Sequence, residues 1–238
     1  MAIDQTYAAD LTAAEASDEV RSAFIRRTYA HLAATILLFG GLEALLLGPL
    51  LSKTLPMMAW MVQGYHWLVV MLAFMAVGWV ADWWAHQDTS PALQYVGLVL
   101  SAVAYAVVFM PLLYLASYHS SPDLLPTAAI LTLGLFGGLT AVVFVTRKDF
   151  SFMRTALMVG TFVALGLIVC AVIFGFNLGV LFALAMVVLM GGYIIYYTSN
   201  VLHHYHPSQH VAAALALFAA VAMMFYYIVY LLMTLARD

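Results

Sequence analysis

Residues 191–232 read GGYIIYYTSNVLHHYHPSQHVAAALALFAAVAMMFYYIVYLL. The stretch leaves an apolar run, becomes tyrosine-rich, and turns polar over Thr198–Asn200. It gathers His203, His204, His206 and His210 around Pro207, then enters a second apolar run. A helix needs about 20 apolar residues to cross a bilayer core, and both flanking runs are that long. The pattern predicts two spanning helices joined by a polar turn, since only internally bonded helices and closed barrels survive in lipid.

The rest of the chain agrees. Its 238 residues are 66% hydrophobic and 8% charged, against about 25% charged in a soluble domain. So few charges cannot coat a water-facing surface, and the chain reads as an all-α integral membrane protein. A net charge of -3, spread along the chain, gives no nucleic-acid surface. Cys170 is the one cysteine and reads as a packing residue, with no disulfide or cysteine-based metal site. The acidic start of the chain has no apolar core and does not read as a cleavable signal peptide.

Working outward, residues 1–27 read as a polar cytoplasmic tail and 28–238 as the transmembrane domain. Spans are expected at Thr28–Leu51, Met57–Ala81, Ala92–Tyr118, Leu124–Thr146, Phe152–Phe174, Phe176–Val201 and Val211–Leu235. Pro49, Lys53 and Pro56 mark the first break, and Asp82, His86, Asp88 and Pro91 the second. Ser120, Pro122, Asp123 and Pro126 mark the third, and Arg147, Lys148 and Asp149 the fourth. The break at Gly175–Asn177 follows from length alone; without it the count is six. Seven spans with the N-terminus in the cytoplasm put Arg21, Arg26, Arg27, Arg147, Lys148 and Arg154 inside, and only Lys53 and Arg237 outside. That is the orientation the positive-inside rule favours, with the C-terminus outside. Trp60, Trp67, Trp83 and Trp84 fall near the ends of the second span, as an aromatic belt does.

Small residues suggest where helices approach. Gly134 with Gly138 and Gly175 with Gly179 have GxxxG spacing, and Ala212, Ala216 and Ala220 repeat every four residues. The last span is therefore expected inside the bundle. Pro111 should bend the third span.

Glu43 is the one carboxylate placed in hydrocarbon. Two readings stand open: a position near the outer interface, or a role in gating or ion passage. Tyr193, Tyr196, Tyr197 and Asn200 are spaced i, i+3, i+4, i+7 and share a helical face. They form either a polar seam partnered by Tyr226, Tyr227 and Tyr230, or an interfacial tyrosine cluster. The four histidines read as a metal site, a pH-sensitive loop or a structural turn. No Cys or carboxylate within the cluster completes a metal site, and Ser208 is placed to cap the last helix. HExxH, GxSxG and Walker motifs are absent, so no enzyme and no cofactor are expected.

Residues 191–232 resemble the Bax inhibitor-1 family of TMBIM-type membrane proteins, most closely its bacterial, YccA-like branch. Arg26–Tyr29, leading into the first span, and the short basic fourth loop add to the resemblance. It implies a seven-helix bundle with the last helix central, in a bacterial inner membrane. It also implies either of two activities. One is a pH-modulated leak of calcium or protons. The other is restraint of a membrane-bound AAA protease or another membrane protein. In the family the leak is tied to two aspartates, one on each of the last two helices, that share a proton. Here Tyr197 stands at the first acidic position and Ala220 near the second, and no Asp or Glu lies between Phe150 and Arg237. The usual carboxylate gate is therefore missing.

Overall fold

The computed structural model describes residues 12–86 and 90–236. The start of the expected tail, including Asp4 and Asp10, together with Asp88 and Arg237, lies outside the described residues. All regular structure among them is helical: α1 (Asp18–Leu47), α2 (Leu51–Met61), α3 (His66–Ala85), α4 (Pro91–His119), α5 (Leu124–Thr146), α6 (Met153–Phe174), α7 (Gly179–His203) and α8 (His210–Leu235). Seven of the eight, all but α2, are long and apolar enough to cross a membrane. The chain is a seven-span helical bundle.

α8 occupies the centre and packs against α1, α3, α4, α5 and α7. Its small residues allow this. Ala212, Ala213, Ala214 and Ala220 are buried, with Leu217, Phe218 and Met224 filling the spaces between helices. Phe218 meets Phe39 of α1 at 6.1 Å and Tyr105 of α4 at 5.2 Å, between ring centroids. α6 is the most peripheral span and packs mainly on α7.

Several boundaries differ from the sequence reading. α1 starts at Asp18, ten residues early, with Ser17 as its cap. It therefore takes up the end of the expected tail. The expected second span is split: Leu51–Met61 is a separate short helix with Pro56 inside it, and the crossing begins at His66. Gly64, at φ 49°, makes the intervening turn, a backbone region where a side chain is strained. Asp82 consequently lies in α3 and not in a loop. α4 runs through Pro111 without interruption.

The hairpin at Gly175 is present. Gly175 ends α6 at φ 70° and Gly179 opens α7 at φ 71°, so this pair forms a turn and not a helix-packing face. Gly134 and Gly138 have open space where a side chain would stand. Cys170 is exposed on the outside of α6 and does not pack internally. The close approach is at Gly97, where an added Cβ would stand 2.6 Å from the Ala81 carbonyl oxygen. That contact joins α4 to α3.

Candidate functional site

The helices around α8 do not close evenly. Between α3 and α6, in front of α8, lie two adjacent cavity lobes that share the lining residues Phe74, Leu165, Ile168, Met223 and Tyr227. The first lobe, about 240 Å³, is lined by Tyr105 of α4, Thr161 of α6, Tyr193 and Tyr197 of α7, and Ala219, Ala220 and Tyr227 of α8. The second, about 320 Å³, reaches Asn177 in the α6–α7 turn and includes Trp67, Phe182, Tyr226 and Tyr230. The walls are mainly hydrocarbon with phenol groups set into them.

Helical spacing places the pair on α7. Tyr193 and Tyr197 are four residues apart and stack at 5.6 Å with an interplanar angle of 24°. The Tyr193 hydroxyl lies 2.8 Å from Thr161 Oγ1, closing α6 onto α7. The Tyr197 hydroxyl finds no hydrogen-bond partner among the described residues. Its side chain faces the bundle interior, where it shares the first lobe with Ala220. Tyr197 and Ala220 thus border one space.

The rest of the expected seam divides. Tyr196 packs against Tyr197 at 5.2 Å but does not line the cavity. Asn200 sits at the end of α7, where its carbonyl accepts the N–H groups of His204 and Tyr205. The expected hydrogen bonds from the α7 tyrosines to α8 do not form, because Thr161 takes Tyr193 instead. Tyr226 packs on Phe109 at 4.9 Å, and Tyr227 on Phe182 at 5.9 Å.

Glu43 stands apart. It lies one turn before the end of α1, a helix that does not line the cavity. It is only 6% exposed, and neither carboxyl oxygen has a hydrogen-bond partner among the described residues.

The histidines are held by separate partners. His203 Nδ1 lies 3.0 Å from the Ser199 carbonyl. His204 Nε2 lies 3.0 Å from Asp149 Oδ2 in the α5–α6 loop. His206 Nδ1 lies 2.7 Å from Ser208 Oγ, and His210 sits edge-on to His31 at 5.0 Å. Ser208 is engaged with His206 and does not cap α8, whose N-cap is Gln209. No three His, Cys, Asp or Glu side chains among the described residues converge on a metal-sized site. The N–H of Ser151 chiefly, with His204, holds the Asp149 carboxyl below the ordinary carboxylate range. The α5–α6 loop is tied also to the last turns of α7, where the Phe150 N–H donates to Ser199 Oγ at 2.9 Å.

Two groupings were not visible in the sequence. Tyr29 of α1 packs on Phe136 and Phe144 of α5, at 6.4 and 5.9 Å between ring centroids. Its hydroxyl faces Thr140 of α5 and Thr198 of α7. All three oxygens are buried, yet none closes a hydrogen bond of good geometry, so the three hydroxyls are near neighbours and not a bonded set. The motifs at Arg26–Tyr29 and Tyr196–Thr198 therefore meet in space. The second grouping is at Tyr205, which packs beside Ala81 and Ala85 of α3 and whose carbonyl accepts the Ala13 N–H at 2.9 Å. Burial pushes the Tyr205 phenol up from its ordinary range.

A family model described as Inhibitor of apoptosis-promoting Bax1 matches residues 21–237, and so covers every span from the first turn of α1 onward. No curated protein and no solved structure matches the chain.

Proposed function

The chain belongs to the Bax inhibitor-1 family, and from this premise we propose that it is a channel-like membrane protein that leaks cations, calcium among them, through the cavity between α3 and α6. One observation carries the reading: Tyr197, at the first acidic position that the family resemblance implies, and Ala220, near the second, line the same lobe. The space that a carboxylate pair occupies is kept while its charge is gone. A cation crossing there would meet phenol, threonine and Asn177 amide oxygens and no carboxylate. An uncompensated ion in hydrocarbon costs several kcal/mol, so the flux is slow. Without two close carboxylates there is no shared proton to gate it. We place the protein in a bacterial inner membrane, in the YccA-like branch, with its N-terminus and six of its basic residues inside.

The uncharged lobe also supports a second reading, a non-conducting regulator of a membrane-bound protease or another membrane protein. Calcium and proton flux in reconstituted liposomes, for the native chain and Tyr197→Asp from acidic to alkaline pH, separates the two. Slow native flux with a gain of pH dependence in Tyr197→Asp supports the leak. No flux in either protein overturns it, and a recurring partner crosslinked in native membranes then supports regulation.

A further inference from the structure

α8 turns one face onto the second lobe. Met223, Tyr226, Tyr227 and Tyr230 stand at i, i+3, i+4 and i+7, and all four line it. None of the three phenol hydroxyls has a hydrogen-bond partner among the described residues. Tyr227 is only 6% exposed, yet its hydroxyl is not sealed in by neighbouring atoms as that of Tyr29 is, so it opens onto the lobe. Its ring meets Phe182 at 73° and Tyr226 at 76°, which gives the wall both ring faces and ring edges. No Asp, Glu, Lys or Arg lines the lobe. It reaches the bilayer sideways, where α3 and α6 barely touch. There Met75 of α3 and Phe176, just after α6, are each about half exposed.

We propose that this lobe binds a neutral, flat-ringed lipophile carrying carbonyl oxygens, a molecule of quinone type, which enters from the bilayer. At about 320 Å³ the lobe has the size of a small-molecule site, and such sites are mostly apolar with a few placed polar groups. Aromatic walls hold a ring by offset and edge-on contacts. The free phenols are donors set in hydrocarbon, and a carbonyl oxygen gives them the partner that the fold withholds. A charged ligand would find no counter-charge here and is disfavoured by the same cost that slows a cation. The site goes beyond the leak reading and does not rest on it.

Saturable binding of tritiated duroquinone to the detergent-purified full chain tests the site. Unlabelled duroquinone should displace it, and durene, the same methylated ring without carbonyls, should compete at least about fivefold less well, the worth of one hydrogen bond. Replacing Tyr226, Tyr227 and Tyr230 together by Phe keeps the rings and removes the donors, and should weaken binding by at least the same factor. Ala171→Phe fills the lobe, which Ala171 lines, and should abolish binding. Cys170→Phe, on the exposed side of α6, should leave it unchanged. No saturable binding, equal competition by durene, or native affinity in the triple Phe variant overturns the proposal. If Ala171→Phe does not fold, the triple variant decides. Displacement by dioctanoylglycerol as effective as by duroquinone also overturns it and assigns the lobe to a lipid ester. Binding that meets these expectations in a protein without flux in liposomes leaves the site standing and removes the leak alone.

Discussion

The hydroxyls of Tyr193 and Thr161 lie 2.8 Å apart and fasten α6, the most peripheral span, to α7. Tyr193→Phe or Thr161→Val should each lower stability by about 0.5–1.5 kcal/mol, the net worth of one such bond. The double variant should cost less than the sum of the two singles, because both remove the same interaction. Thermal unfolding in detergent checks this, and strictly additive losses would show the bond to be energetically empty.

Helix approach gives a sharper contrast. Gly97→Ala should destabilise by about 1–3 kcal/mol, because its new Cβ meets the backbone of Ala81 and Ala85, which cannot step aside. Gly134→Ala and Gly138→Ala, with open space around both positions, should be neutral or slightly stabilising through helix propensity. Comparing the three melting temperatures shows whether α3–α4 or the GxxxG pair is the tight contact within one chain.

Glu43 is buried without a partner, an arrangement that costs stability. Glu43→Leu should therefore raise it, by about 1–3 kcal/mol. Because α1 does not line the cavity, Glu43→Gln should leave any flux at its native rate. A flux change in a normally folded Glu43→Gln protein would put Glu43 on the path and move the path away from the α3–α6 gap.

The link from the α5–α6 loop to the histidine stretch should respond to acid. Asp149 is held below its unfolded pKa, near 3.9, chiefly by the Ser151 N–H. Its contribution is then present above the unfolded pKa and disappears as pH falls through the folded one. The carboxylate is nearly half exposed, so the effect is under about 1 kcal/mol and is weakened by salt. The protection of the Ser151 amide, its exchange relative to the intrinsic rate at the same pH, should be high at neutral pH and fall below about pH 4. Asp149→Asn should show low protection at both.

Composition made the seven spans legible because each needs a long apolar run, and the Ala-rich face of residues 212–220 placed the last of them at the centre. The break between α2 and α3 was missed because residues 54–81 hold no charge, although Gln63, Gly64 and His66 interrupt the apolar run where the turn lies. A span begun at Met57 ends at Ala81, one residue short of Asp82, which α3 carries. The Tyr193–Tyr197 face could be read from spacing, since both residues lie on one helix. Tyr105 and Thr161 could not, because nothing local to α4 or α6 marks the side on which α7 will lie. The partners of Tyr29 are further still from any local signal, more than 100 residues away in the sequence for Thr140 and Thr198.

Ala13 is fully buried, and its amide is bonded to the carbonyl of Tyr205. The segment before α1 is therefore a leash fastened beside the far turn of the bundle, and the two are mechanically in series. A protein that grips the chain at residues 12–17 pulls on the Ala13–Tyr205 bond and needs no contact inside the bilayer to do so. Deleting residues 1–13 should speed amide exchange at Gln209 and Val211 while leaving α5 unchanged, and equal exchange with and without the leash would show that it carries no load.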